Sequence, residues 1–220
     1  MELSLVLAVL LAGCIWFLPV VNEHRSLLAI KEVAARYRLQ SDSTSVGIFS
    51  RALPSQVTGT HRGERISIYT ERRSWGWGYR LTNYVERYVQ VEVCNQRDAC
   101  LALSGTVQHV ALLSAFISKP RFPTQDAHFD RYFSIKRSIP PELAEHLMAS
   151  NSLRQRLLEA LTGMRRIKVE LQGQQLTLTE TMPWYHLASV QNEAAYLQRL
   201  ADLAIDLGKA IEAALTQPRA

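Results

Sequence analysis

Trp75, Trp77 and Tyr79 alternate along the segment Arg72–Arg80, with Arg72, Arg73 and Arg80 around them. Successive side chains of an extended chain point to opposite faces, so the three rings share one face. Tryptophan and tyrosine join an apolar body to a polar handle, which suits a membrane interface or a protein contact. The plainer account is that the rings seal the edge of a core. Aromatic–basic mixtures also stack on nucleic-acid bases, but no RNA-binding module accompanies this one, and no nucleic-acid partner is expected.

The cysteines offer less. Cys94 and Cys100 flank Asn95–Ala99. In an oxidising compartment they could close a small disulfide across a hairpin; in a reducing one they are free thiols at strand ends. Two cysteines at this spacing lack the second ligand pair of a zinc site. The histidines at 24, 61, 109, 128, 146 and 186 form no HExxH pattern. His128 lies two residues from both Asp126 and Asp130, a common coincidence in a polar loop. Gly59-Thr60-His61-Arg62-Gly63 precedes a strand, whereas a phosphate-binding turn follows one. No Gly-x-Ser-x-Gly elbow marks a nucleophile, and the pair Glu142 and Glu145 is what any solvated helix offers. No catalytic residue, cofactor or metal is expected from these patterns.

The elements that must position these residues begin with an anchor. Leu3 to Val21 are nineteen positions without a charge, a length of about 28 Å as a helix against a bilayer core of roughly 30 Å. The run predicts a single transmembrane helix over residues 1–22. A cleaved secretory signal should open with Lys or Arg, and only Met1 and Glu2 precede the run. Leu11-Ala12-Gly13-Cys14 is similar to the lipobox of bacterial lipoproteins, although Ile15-Trp16-Phe17-Leu18 continues apolar where such sequences turn polar. The lipoprotein, with its domain outside, is the alternative. His24, Arg25, Lys31, Arg36 and Arg38 follow the run, and the positive-inside bias puts the domain in the cytoplasm of a cell with this protein in its membrane.

Net charge is +5, unevenly spread: residues 22–80 carry ten Lys/Arg against five Asp/Glu. Basicity next to the anchor suits anionic headgroups. The rest predicts a juxtamembrane helix and linker over 23–45, one soluble domain over 46–215, and a short tail over 216–220. Leu27, Ile30, Ala34 and Tyr37 are at helical spacing, and Ser41–Ser45 should end that helix. An irregular stretch with Pro54, Gly59 and Gly63 leads to a strand at Arg65–Thr70. Tyr88–Val93 alternates cleanly, and Cys100–Ser104 should pair with it across the five-residue loop. Val107–Ile117 reads as a short helix or buried strand. Phe129–Ser138 reads as a strand, Pro140–Glu142 opens a helix, and Ser152 should cap the next, which Gly163 ends. Ile167–Leu171 and Leu176–Thr179 flank a hairpin turn at Gln172–Gln174. The stripe Leu197, Leu200, Ala204, Leu207, Ile211 and Leu215 marks a last helix from about Val190. The fold class is therefore α+β: a transmembrane helix, then a largely antiparallel sheet packed by helices, with room for two lobes.

This order resembles a group of poorly characterised bacterial single-pass membrane proteins with a domain of unknown function. The resemblance rests on the N-terminal span, the turn and strand from Gly59 to Tyr69, the Phe133-x-Ile135 strand, the leucine-bearing helix, the Gly173 hairpin and the long last helix. It implies architecture and no site residues. The expected function is a membrane-anchored interaction or assembly module, or an accessory subunit of a membrane complex, with the bilayer and a membrane protein as partners. The alternative is a membrane-associated enzyme acting on a lipid or envelope substrate.

Overall fold

The computed structural model describes residues 6, 21, 23–42, 56–75, 82–95, 97–105, 123–124, 126–161, 166–182 and 189–216. The expected anchor falls outside these apart from Val6 and Val21, both helical. Among the described residues no helix is long and apolar enough to cross a membrane. Val107–Ile117 also lies outside them.

Helical residues 23–37 (α1) lead into β1 (Gln40–Asp42), β2 (Gln56–His61), β3 (Glu64–Trp75), β4 (Thr82–Glu92) and β5 (Cys100–Gly105). Then come α2 (Ala127–Tyr132), β6 (Phe133–Ile139), α3 (Pro141–Ala149), α4 (Asn151–Ala160), β7 (Arg166–Gln172), β8 (Gln175–Met182) and α5 (Val190–Thr216). The eight strands form one sheet in the order β1-β2-β3-β4-β8-β7-β5-β6, and every pairing is antiparallel. The fold is α+β, as the element pattern predicts.

Period-two alternation sets the layers. Val57, Ile66, Ile68, Val89, Val91, Leu101, Leu103, Val169, Leu176 and Leu178 are buried in one apolar cluster with residues of all five helices. The intervening strand residues are mostly polar and make the opposite, outer face. The α5 stripe lies in this cluster from Ala194 to Leu215. Gly208 lets α5 come close to the sheet, because a Cβ there would already touch Val93 at 3.4 Å and Val91 at 3.6 Å. Its helix-propensity cost of about 1 kcal/mol is therefore the condition of that approach.

Several expectations are corrected. Cys100–Ser104 does not pair with Tyr88–Val93, because the β7–β8 hairpin is inserted between β4 and β5. Val93, Asn95 and Ala99 instead lie against the end of that hairpin. Val93 N–H donates to the Gln174 carbonyl at 2.8 Å. Buried Asn95 donates to the carbonyls of Gly173 (2.6 Å) and Ala99 (2.9 Å) and accepts from the Ala99 N–H at 2.9 Å. Residues 127–132 are helix rather than strand, since the Asp126 side chain accepts the N–H groups of His128 and Phe129 and so starts a helical turn. Ser150, not Ser152, caps α4, accepting from Leu153 N–H. Ser41 and Asp42 belong to β1, and Gly59 lies within β2, where a Cβ would stand 2.8 Å from the Leu39 side chain. The strand expected at 65–70 continues to Trp75.

Asn95 satisfies three backbone groups at a place where water has little access. Asn95→Ala should lower unfolding stability by about 1–3 kcal/mol, the cost of leaving buried backbone groups unpaired, read as a reduced denaturation midpoint with an unchanged slope.

Candidate functional site

Because the helices cover one side of the sheet, accessible chemistry gathers on the other. The register aligns Gln40, Thr58, Ser67, Gln90, Thr177 and Glu170 in one cross-strand row of the outer face. A neighbouring row contains Gln56, Tyr69, Tyr88, Thr179 and Lys168. Tyr69 and Tyr88 stack with centroids 4.6 Å apart and planes at 7°. Tyr69 Oη accepts from Gln90 Nε2 at 3.1 Å, and Gln56 Nε2 donates to Ser67 Oγ at 3.0 Å.

One row further on, Glu71 and Glu86 are direct cross-strand partners. Like charges in that position repel, and the neighbours answer the repulsion. Arg73 lies 2.6 Å from Glu71 and 3.6 Å from Glu86, while the hydroxyls of Tyr88 (2.5 Å) and Thr181 (3.3 Å) both donate to Glu86. Burial, followed by the hydrogen bond to Glu86, pushes the Tyr88 phenol up to about 12. It therefore stays protonated and remains a donor at neutral pH.

Towards the β2–β3 turn the outer face is hollowed into a groove of about 950 Å³. Its floor carries Thr58, Thr60, Ser67, Gln90, Glu92 and Gln175, and Tyr37 and Arg38 at the end of α1 contribute to its wall. Behind that wall the Tyr37 ring stacks on His61, centroids 3.6 Å apart, and His61 Nε2 lies 3.0 Å from Asp202 Oδ1. Arg62 bridges Asp202 (3.6 Å) and Asp206 (3.0 Å), and Arg156 also pairs with Asp206. Burial, then the nearby Asp202 carboxylate, pushes the Tyr37 phenol up to about 12. The arrangement fastens the β2–β3 turn and the end of α1 to α5.

On the covered face the notable group is Arg87, whose side chain has no exposed surface. Its Nε donates to Glu180 at 2.6 Å, one of its terminal nitrogens lies 2.7 Å from Glu193, and its guanidinium carbon is 5.7 Å from the Tyr196 ring centre. Burial alone opposes the charge, but the carboxylates of Glu180 and Glu193 together outweigh it and hold the guanidinium above its usual range. Tyr196 in turn donates to the Ala160 carbonyl at 2.5 Å. The sequence reading passed over this group, although its signals were present: Arg87 falls on the Val85, Val89, Val91 face, Glu180 on the Leu176, Leu178 face, and Glu193 on the α5 stripe.

Of the residues singled out in sequence, Arg72, Arg73 and Trp75 end β3, in register with Val85, Tyr84 and Thr82. Trp77, Tyr79 and Arg80 lie outside the described residues. Cys94 is exposed and Cys100 partly so. The carboxylates beside His128 serve structure: Asp126 caps α2, and Asp130 accepts the Thr124 hydroxyl at 2.8 Å. Glu142 and Glu145 are solvent-exposed. Among the described residues no group of three or more His, Cys, Asp or Glu is placed to hold a metal ion.

Removing the cation of the Arg87 group strands two carboxylates in the core. Arg87→Met should therefore cost about 3–5 kcal/mol of stability, measured by chemical denaturation. Arg73→Met on the exposed outer face should leave the denaturation midpoint nearly unchanged.

Compared with known protein families, with curated proteins and with solved structures, the chain matches none.

Proposed function

We propose that the protein is a membrane-anchored interaction module, held by residues 3–21, whose sheet stands end-on to the bilayer. What supports the reading is the placement of tryptophan. The chain has four, at 16, 75, 77 and 184. Trp16 lies in the apolar run. The other three lie at, or just beyond, strand ends that share one end of the sheet.

That end follows from the register. Trp75 pairs with Thr82, Val85 with Met182, Arg166 with Thr181, and Gly105 with both Ile167 and Phe133. The strand ends Trp75, Thr82, Gly105, Phe133, Arg166 and Met182 are therefore at one end of the sheet, and in sequence they flank 76–81, 106–122, 162–165 and 183–188, which lie outside the described residues. Their sequences include Trp77, Tyr79, Trp184, Tyr185 and the apolar stretch Val107–Ile117, with Arg80, Lys119, Arg121 and Arg165 among them. Aromatic and basic residues together suit the headgroup layer of an anionic leaflet.

The course of α1 agrees with this. Its last residue, Tyr37, stacks on His61 beside the β2–β3 turn, at the opposite end of the sheet. Arg38, in a left-handed conformation (φ 54°), and Leu39 then reverse the chain into β1. With Ala29, Ile30 and Val33 buried in the core, α1 runs along the sheet towards that turn. By charge, the domain is on the cytoplasmic face, and an interaction surface for a membrane partner, or for a larger complex, is carried on it. Tethering supplies local concentration and orientation to such a surface.

The test is tryptophan quenching by brominated lipids in the full chain reconstituted into bilayers, with Trp16→Phe removing the anchor's signal. Quenching should persist, and should fall when Trp75, Trp77 and Trp184 are successively changed to Phe. Three unquenched tryptophans would remove the end-on reading. Sidedness is checked separately. An impermeant maleimide should leave exposed Cys94 unlabelled in intact cells and label it after permeabilisation, with Cys94→Ser as the control.

A further inference from the structure

We propose that the outer-face groove beside the β2–β3 turn is a binding site for a short neutral oligosaccharide. The proposal stands independently of how the chain is anchored. A groove of about 950 Å³ is at the upper end of the roughly 300–1,000 Å³ typical of small-ligand sites.

Its lining narrows the class of ligand. Ile66 and Val91 border the groove, but their side chains are buried on the helix side, 1% exposed each. Their backbone alone reaches the groove, so the floor offers little apolar side chain to a greasy ligand. Charge does not select an ion either. Arg65 lies 3.6 Å from Glu92, and both are well exposed, which leaves Arg38 as the remaining charged side chain of the lining. Beside Tyr37, Gly59 and Gln174, the rest of the lining is neutral amides and hydroxyls: Gln40, Thr58, Thr60, Ser67, Gln90 and Gln175. Each of these amides and hydroxyls both donates and accepts, and a sugar hydroxyl needs both from its partner.

The groups are also held in place before any ligand arrives. Gln90 is fixed by Tyr69, itself stacked on Tyr88, and Ser67 is fixed by Gln56. Fixed side chains lose less freedom on binding. The strands hold these groups in register at regular spacing, row against row, which suits a ligand that repeats its hydroxyls along a chain. A peptide of mixed side chains would find no apolar pocket here, and an anionic polymer would meet Glu92 as well as the arginines.

The experiment uses the full chain in nanodiscs, titrated calorimetrically with maltotriose, cellotriose and the trimer of N-acetylglucosamine, and with a sulfated trisaccharide as the charged comparison. At least one neutral trimer should bind saturably. Gln90→Leu should weaken that binding roughly tenfold and Thr58→Val roughly three- to tenfold, the range for loss of one neutral hydrogen bond. Thr58→Val keeps the β-branched shape in the strand and remains informative if Gln90→Leu fails to fold. Lys168→Ala, outside the groove, should leave binding unchanged. Absence of saturable binding by all three neutral trimers would overturn the proposal. So would binding insensitive to both groove variants, or preference for the sulfated sugar.

Discussion

A guanidinium without exposed surface, set in the middle of an antiparallel sheet, constrains everything packed around it. Arg87 on β4 stands opposite Glu180 on β8 and beneath Glu193 in the first turn of α5. An unpaired charge in that position would be prohibitive, so the three elements must meet in one relative arrangement. Slipping β4 by one residue against β8 would turn Arg87 to the outer face and leave two carboxylates facing each other in the core. Valines alone would tolerate such a slip far better. The ion group thus specifies register, and the apolar cluster supplies the bulk of the stability.

That division explains why the sheet has two unlike faces. Nearly every residue that holds the helices on is on the Val89, Leu178 side. The outer rows make their hydrogen bonds at the surface and carry little of the burial. They are consequently free to hold glutamines, threonines and tyrosines at fixed spacing, a freedom the covered face lacks. The ends differ for a related reason. At the β2–β3 turn, loops are short and tied down: Asn95 closes one crossing, and Arg62, Lys209 and Glu64 tie the turn to α5. At the opposite end the strand termini Trp75 and Met182 flank aromatic-rich sequence at 76–81 and 183–188.

Much of this was legible in the sequence, because period two and period 3.6 are strong signals when one face is buried. The valine face of β4, the β7–β8 hairpin with Gly173 at φ 56° and the α5 stripe all emerge as their patterns predict. The order of strands did not. Cys100–Ser104 reads as a partner for Tyr88–Val93 because hairpins are the commonest short connection, and nothing local announces that β7 and β8, some seventy residues later in the chain, will be inserted between them. Residues 129–132 misled for a different reason. Phe129 and Phe133 suit a strand by type, but the Asp126 cap puts them one helical turn apart, where they stack at 4.8 Å. The outer-face groove was invisible in sequence, since it is made by adjacent rows from five strands and the end of α1, none remarkable alone.

Arg87 went unread for an instructive reason. Charged residues are ordinarily used to mark the solvent face of an element, so a strand reading that begins at Tyr88 stops where the pattern first looks broken. Extending the alternation back through Arg87 to Val85 puts the arginine among the valines. The same extension puts Glu180 among the leucines of β8, and Glu193 four residues before Leu197 on the α5 stripe. One such misfit is noise. Two acids and a base, each on an apolar face of a different element, are buried at least cost when they meet, because the cation then offsets the carboxylates that would otherwise have to be protonated. A charge that violates its own element's pattern is therefore a long-range constraint, and three of opposite sign would have fixed β4 beside β8 under α5 before any strand order was known.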